Sequence, residues 1–592
     1  MLHFQRPDVE HFARTCSVED FTFSPDETQL VFSTNITGKY NLWAMDMPNR
    51  FPYQIAFADE SCSGLQYDEQ GRYVLVGYDK DGNENTQLYA IPPRGGHLQP
   101  LRATPGERHL FIALSKDGER LYYNSTKGNS TYWNSYCYHL QTDQEQTLTS
   151  GSDAVTALVQ VSHSETSFAY VKVYSNTYQL LYIRVGNEDL LVTPKTDEEH
   201  AVTAAVYTTE DEIYLLTNYD SDYSYLASFN LKTKVFSKVC SLEHVDMSAL
   251  EYDKLRKRLY IVGSKGVENF IYCYRESELS HISAPVSIIS KLSVSKQGNL
   301  YILGERATRP KNVFKKTIDG DWEELTFLRV PCVEEEQLIE PEVVSYQSFD
   351  GTAIEALYYQ AKSDVDNEHL IVWPHGGPQH ADRKTFRPLF QFLLNRGYSI
   401  FSPNFRGSTG YGQQFKKMVE GDWGHGPRQD ILSGIEWMIE QGNAKADKLF
   451  IMGGSYGGYM SLLMIGRHPG YFKACVDMFG PSSLFTLIDS SPDYWKPMMA
   501  RWIGDPIRDK VKLTEDSPIN YVDDMVTPLF VVQGANDPRV TRGESDQIVK
   551  ALETKGVKVD YVLMENEGHG FSKKENELYV YRRIVDFFNA FI

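Results

Sequence analysis

A hydroxyl, a carboxylate and an imidazole occur in this chain at places where they could share one proton. The strand-like run KLFIM leads into Gly453-Gly454-Ser455-Tyr456-Gly457-Gly458, and the helix-like YMSLLMIG follows. This is the strand–turn–helix context of a G-x-S-x-G nucleophile. Gly453 and Gly457 flank the serine because the turn is too sharp for side chains there. The serine itself is held in a strained backbone geometry that lifts its hydroxyl clear of the sheet. A serine hydroxyl is a weak nucleophile, so it needs a base, and the base needs an orienting carboxylate. Two further strand ends offer them. LFVVQ runs into Gly534-Ala535-Asn536-Asp537, and YVLM runs into Glu565-Asn566-Glu567-Gly568-His569-Gly570. Asp537 follows Ser455 by 82 residues and His569 follows Asp537 by 32. The order Ser, Asp, His is that of hydrolases whose nucleophile sits on such an elbow. His380 and His425 compete for the role of base, but neither follows the acid. The chemistry is acyl transfer through a covalent acyl-serine. It also needs donors for the developing oxyanion. The backbone N–H of Tyr456 is one candidate. The loop His375-Gly376-Gly377-Pro378, after the apolar run HLIVWP, offers another, because glycines allow the backbone to approach a substrate closely.

These residues must be positioned by a sheet. From about residue 342, short apolar runs alternate with amphipathic stretches such as RQDILSGIEWMIEQG and RGESDQIVKALETKG. That grammar predicts a mostly parallel sheet covered on both faces, with functional residues at the carboxyl ends of its strands. The first half reads differently. FSPDETQLVF, YDEQGRYVLV, LSKDGERLYY, VSHSETSFAY, VYTTEDEIYLL, YDKLRKRLYIV and VSKQGNLYIL begin at residues 23, 67, 114, 161, 206, 252 and 294. Each is strand, polar turn, strand, and a further strand-like segment such as NLWAMDM or FIYCYR follows. Steps of 42 to 47 residues with several strands per unit predict β-propeller blades, seven of them. A single four-stranded blade cannot bury both faces alone, whereas radial stacking buries them against neighbours. The expected organisation is a two-domain chain. Residues 1–20 form an extension with a possible short helix near Pro7, residues 21–335 a seven-bladed propeller, and residues 336–592 an α/β-hydrolase domain. The acidic, Pro-flanked stretch 328–341 reads as the linker. Its EEE run is either a ligand for a peptide amine or a solvated charge run.

Composition excludes other classes. A length of 592 residues calls for more than one core, and 41% hydrophobic with 23% charged residues is a globular balance. A net charge of −20 disfavours nucleic-acid partners. No apolar run approaches the roughly 18–20 residues of a membrane span, and MLHFQRPDVEHF has no apolar core of a secretory signal. Seven scattered cysteines fit reduced thiols in a cytoplasmic protein. No zinc-binding spacing and no phosphate-binding loop is present, so neither a metal nor a cofactor is expected.

GGSYGGYM, HGGP, NFRGSTGYG (404–412), GDWG (421–424), NDPR and EGHGF together resemble the prolyl oligopeptidase family of serine peptidases. The likeness is to the acylaminoacyl-peptidase-like branch. Gly454 stands where the dipeptidyl-peptidase branch carries Trp, and Tyr456 where prolyl oligopeptidases proper usually have Asn. HGPRQD after GDWG departs from the Gly-rich stretch common in relatives. The resemblance implies a seven-bladed propeller joined to an α/β-hydrolase domain and a triad of Ser455, Asp537 and His569. It implies an oxyanion hole from the N–H groups of Gly377 and Tyr456. Arg539 would hold the carbonyl of the substrate residue upstream of the cleaved one, or else form a surface ion pair. Phe479, Leu484, Phe485, Trp495 and Trp502 lie where the family builds the apolar pocket, though such aromatics serve equally as core. The implied substrates are short peptides, cleaved to release acylated or unblocked N-terminal residues or cut internally, with the propeller excluding folded proteins. A carboxylesterase on the same machinery and a propeller scaffold with a dormant hydrolase half are the alternatives. The sequence leaves homo-oligomer formation open.

Overall fold

The computed structural model of the protein describes residues 6–58 and 60–592. The first five residues of the expected N-terminal extension lie outside the described residues. Seven four-stranded antiparallel sheets follow one another from Val18 to Glu324, each with its strands in sequence order. Every repeat anchor falls in the first strand of a blade: Phe23 ends Val18–Phe23, Tyr67 ends Ser61–Tyr67, and Val294 ends Ile288–Val294. The fourth strands are short and half-exposed, as in Pro52–Gln54 and Trp322–Glu324. Apolar side chains fill the space between blades. Val31 and Leu42 of the first blade pack with Val74 and Val76 of the second. Among the described residues no strand is shared between the first and last blades, so side chains close the ring. Val18, Phe21 and Phe32 meet Tyr301, Leu303 and Val313. Lys291 also reaches Asp20 at 2.6 Å, and the other oxygen of Asp20 accepts the Leu65 N–H at 2.7 Å, which ties the seventh, first and second blades together.

The second domain is built on one eight-stranded sheet. Its strands are β1 (Glu342–Gln347), β2 (Ala353–Tyr359), β3 (Leu370–Val372), β4 (Ser399–Pro403), β5 (Leu449–Gly454), β6 (Cys475–Met478), β7 (Leu529–Gly534) and β8 (Val559–Met564). The order across the sheet is β1-β2-β4-β3-β5-β6-β7-β8. The pairs β1–β2 and β2–β4 are antiparallel; every other pair is parallel. Ile451 and Leu529 belong to the apolar core on one face, Phe450 and Phe530 to that on the other. This alternation explains why the strands read as unbroken apolar runs.

The short helix expected near Pro7 spans Val9–Ala13, with Asp8 rather than Pro7 at its start: the Asp8 carboxylate accepts the Val9 N–H at 2.8 Å. It packs on the second domain, with Phe12 5.8 Å from Phe392. Between the domains, Glu335 of the EEE run forms a 2.7 Å ion pair with Arg309 of the last blade. Among the described residues, no helix is long and apolar enough to cross a membrane.

Candidate active site

Ser455 stands between β5 and the helix Tyr456–Arg467 with φ 58° and ψ −124°, a conformation that L-residues adopt only under strain. The glycines around it are required by contact. A Cβ on Gly453 would lie 2.5 Å from the Gly457 carbonyl carbon, and one on Gly457 would collide with the Pro374 carbonyl oxygen. The bend therefore brings the ends of β3 and β5 together and turns the serine outward at the carboxyl edge of the sheet.

The loops after β7 and β8 deliver the other two groups. His569 Nε2 lies 2.9 Å from Ser455 Oγ, and Nδ1 lies 2.6 Å from Asp537 Oδ2. The Asp537 side chain is fully buried. Its second oxygen accepts the N–H groups of Arg539 (2.8 Å) and Val540 (3.0 Å), so the buried charge has three donors. Glu567 braces the histidine loop from within. Its carboxylate accepts the N–H of Ser572 at 2.7 Å, the N–H of Lys573 at 3.0 Å and the Asn576 amide at 2.7 Å. Of the competing histidines, His425 packs against Phe349 and His380 beside His375; the imidazole on Ser455 is that of His569.

The HGGP loop lies over the nucleophile. A Cβ on Gly376 would be 3.2 Å from the Gly454 carbonyl oxygen and 3.5 Å from Ser455 Cβ, and Gly377 has φ 131°. His375 anchors this loop. It is buried, stacks on Phe405 at 4.1 Å, and its nitrogens lie 2.8 Å from the Gly376 carbonyl and from Ser408 Oγ. Burial pushes its pKa down to about 4, so the ring is neutral and structural. Tyr456 is the first residue of its helix, where the N–H is not used by the helix itself. Its phenol donates to the Trp423 carbonyl. The Gly376 backbone thus lies against Ser455, and Tyr456 follows it directly at the helix start.

The other expected site residues separate into two sets. Phe479, at φ 47°, sets its ring 5.1 Å from the His569 ring and 6.3 Å from Phe571. Arg539 Nε lies 2.6 Å from Glu84 Oε1, so it forms an ion pair across to the propeller. Trp502 is buried and meets Trp423 edge-on at 5.0 Å, and Trp495 and Phe485 pack at the border of the same core. Sequence reasoning had no access to the propeller residues at this edge. Arg108 donates to the Tyr494 hydroxyl at 3.0 Å, and Trp133 sits 5.5 Å from the Tyr494 ring. No motif marks them, because only the docking of the domains brings them here. Among the described residues, no group of three or more potential ligand side chains could hold a metal ion.

A strained serine in a relay with histidine and aspartate, at the strand ends of an α/β-hydrolase sheet beneath a seven-bladed propeller, defines a serine hydrolase. The comparisons with known proteins narrow the class. Residues 384–592 match the model of the prolyl oligopeptidase family. Dipeptidyl aminopeptidase BIII of Pseudoxanthomonas mexicana is 40% identical over 259 residues, which make up 42% of this chain and 38% of that protein. The acylamino-acid-releasing enzyme of Homo sapiens is 31% identical over 248 residues, 40% of this chain and 33% of that protein. The chain therefore spans well under half the length of these curated relatives in the matched stretches. A solved Mycobacterium tuberculosis puromycin-hydrolyzing peptidase shares the fold over 99% of this chain and 96% of its own, with a TM-score of 0.85 at 18% identity.

Proposed function

We propose that the protein is a serine peptidase acting on short peptides, which releases acylated or unblocked residues from the N-terminus or cuts oligopeptides. The observation that carries this reading is the continuous relay of 2.9 Å and 2.6 Å hydrogen bonds from Ser455 through His569 to Asp537. His569 Nε2 takes the proton of Ser455 as the hydroxyl oxygen attacks the peptide carbonyl. Asp537 holds the ring with its other proton on Nδ1 and stabilises the imidazolium. The tetrahedral oxyanion lies between the N–H groups of Tyr456 and Gly377. His569 then protonates the leaving amine. Water, deprotonated by the same nitrogen, hydrolyses the acyl-serine. The peptide class is supported by the relatives, one a dipeptidyl aminopeptidase and one an acylamino-acid-releasing enzyme. Phe479 beside His569 supports an apolar side chain on the acyl side of the cut. We place the enzyme in the cytoplasm, in keeping with its seven unpaired cysteines, and no cofactor enters the mechanism.

The test is Ser455→Ala. The variant should fold normally, lose hydrolysis of acyl-amino-acid and dipeptide anilides, and take up no fluorophosphonate probe. Retained hydrolysis would end the assignment. Ester and peptide rates measured side by side decide between a peptidase and a carboxylesterase.

A further inference from the structure

The loop that carries His569 follows β8, the edge strand of the sheet, so within its own domain it has a neighbouring strand end on one side only. On that side the Asn536 N–H donates to the Glu567 carbonyl at 2.9 Å. The other side is met by a turn of the second propeller blade. Asp81, Gly82 and Glu84 of that turn have φ values of 49°, 73° and 60°, and the turn is tied down within the propeller. The Asp81 N–H donates to Glu60 at 3.0 Å and the Glu84 N–H to Asp79 at 3.2 Å.

Three contacts join this turn to the catalytic loops. Gly82 backs directly on Gly568, the residue before His569: a Cβ on Gly82 would lie 2.8 Å from the Gly568 nitrogen and 3.1 Å from its Cα. Asp81 accepts from Lys573 Nζ at 2.8 Å, and the same ammonium donates to the Asn566 carbonyl at 2.5 Å. Glu84 pairs with Arg539, two residues beyond Asp537. Lys573 is buried and Asp81 half-exposed, so the ion pair is partly shielded from water, and the second bond to the Asn566 carbonyl fixes the ammonium in place.

We propose that the propeller turn 81–84 is the positioning element of the relay, with Gly82 and Asp81 setting the place of the His569 loop and Glu84 that of the Asp537 loop. The inference rests on the reading of Ser455, His569 and Asp537 as the relay. It assigns the propeller a part in the chemical step besides any part in admitting substrate. A relay needs its heavy atoms placed to a few tenths of an ångström, and displacement of the order of 1 Å can cost about 100-fold in rate.

The experiment compares Gly82→Ala, Asp81→Asn and Asp81→Glu with a control, Gly186→Ala. Gly186 has φ 59° and open space around it, so its variant carries similar backbone strain without the contact. The readouts are kcat and KM on a peptide anilide, the rate of fluorophosphonate labelling, and Tm. Gly82→Ala should lower kcat and the labelling rate together by about 10- to 100-fold, with KM nearly unchanged. Asp81→Asn should lower both several-fold, and Asp81→Glu should recover most of that loss. Should Gly82→Ala not fold, Asp81→Asn and its rescue decide alone. Wild-type kcat and labelling in Asp81→Asn, a loss confined to KM, or an equal loss in Gly186→Ala would overturn the proposal. If Ser455→Ala still took up the probe, the relay itself would be wrong; if only the loop variants behaved as wild type, the relay would stand and this inference would fall.

Discussion

Replacing Asp537 by Asn changes one atom of the relay, and the structure dictates which way the new side chain points. Oδ1 of Asp537 receives two backbone N–H groups, from Arg539 at 2.8 Å and Val540 at 3.0 Å, while Oδ2 faces His569 Nδ1 at 2.6 Å. In Asn the carbonyl oxygen must stay on the two N–H groups, since an NH₂ there would leave both donors unpaired at about 1–3 kcal/mol each. The NH₂ therefore faces Nδ1 and donates to it. The imidazole must then carry its proton on Nε2, the nitrogen 2.9 Å from Ser455 Oγ, and cannot accept the proton of the hydroxyl. A neutral amide also leaves the imidazolium without its counter-charge. The expected fall in kcat is about 10⁴-fold, equivalent to about 5.5 kcal/mol of transition-state stabilisation. The side chain keeps its shape, so circular dichroism and Tm should change little. The assay is steady-state hydrolysis of a peptide anilide, with fluorophosphonate labelling as a measure of nucleophile activation. A kcat within tenfold of wild type in a folded Asp537→Asn protein would refute the tautomer argument.

Two other perturbations follow from buried groups of the second domain. Gly457→Ala drives a methyl group into the Pro374 carbonyl and to 3.2 Å from the His375 carbonyl carbon, which displaces the HGGP loop; kcat should fall by about 10²–10³, the usual cost of losing an oxyanion donor, and a wild-type kcat in the folded variant would contradict the packing. Asp516 is 5% exposed, and burial, with Asp422 nearby, raises its pKa from 3.8 to about 6. The folded state thus holds a proton that the unfolded chain releases, so stability is fully present below about pH 4 and is lost as pH rises through 6, by up to about 3 kcal/mol. Asp516→Asn should raise Tm at pH 8 by more than at pH 5, and an equal shift at both values would show that the carboxyl does not titrate as described.

The parts of this fold that are legible in the sequence are those where burial imposes a period. The inner strands of each blade carry apolar residues on both sides because both blade faces are covered, and their recurrence gives seven units. The outer strands, such as Gln99–Arg102, have little apolar content because they pack at the rim, and they leave no pattern. The relay residues could be placed because each ends an apolar strand, and Gly453 and Gly457 because no side chain fits there. The pocket aromatics could not be sorted. Trp502 joins Trp423 in the core while Phe479 stands beside His569, and in the linear chain both are simply aromatics after β6. Arg539 is the clearest case of information beyond sequence. Its partner Glu84 lies in a propeller turn 455 residues away, and only the shapes of the two domains bring them together.

The contacts between the domains differ in kind around their rim. Beside the N-terminal helix, Val267 and Ala307 of the propeller and Val330 and Val333 of the connecting stretch join the same apolar core as Leu389 and Phe390, and Gln391 donates to the Ala307 carbonyl at 3.1 Å. Across the rim, at the fourth and fifth blades, the contacts named are polar. Arg501 pairs with Glu199, Asn176 donates to Gln379 at 2.8 Å, and Gln413 donates to the Thr177 carbonyl at 2.7 Å. Separating the apolar side exposes hydrocarbon at about 25 cal/mol per Å², whereas the polar groups exchange one partner for water at small net cost. The apolar side therefore holds the domains together more strongly than the fourth and fifth blades do. The second-blade turn on the His569 loop is polar as well, through Asp81 and Glu84, so the contacts that brace the base are of the kind that exchange with water rather than of the apolar kind.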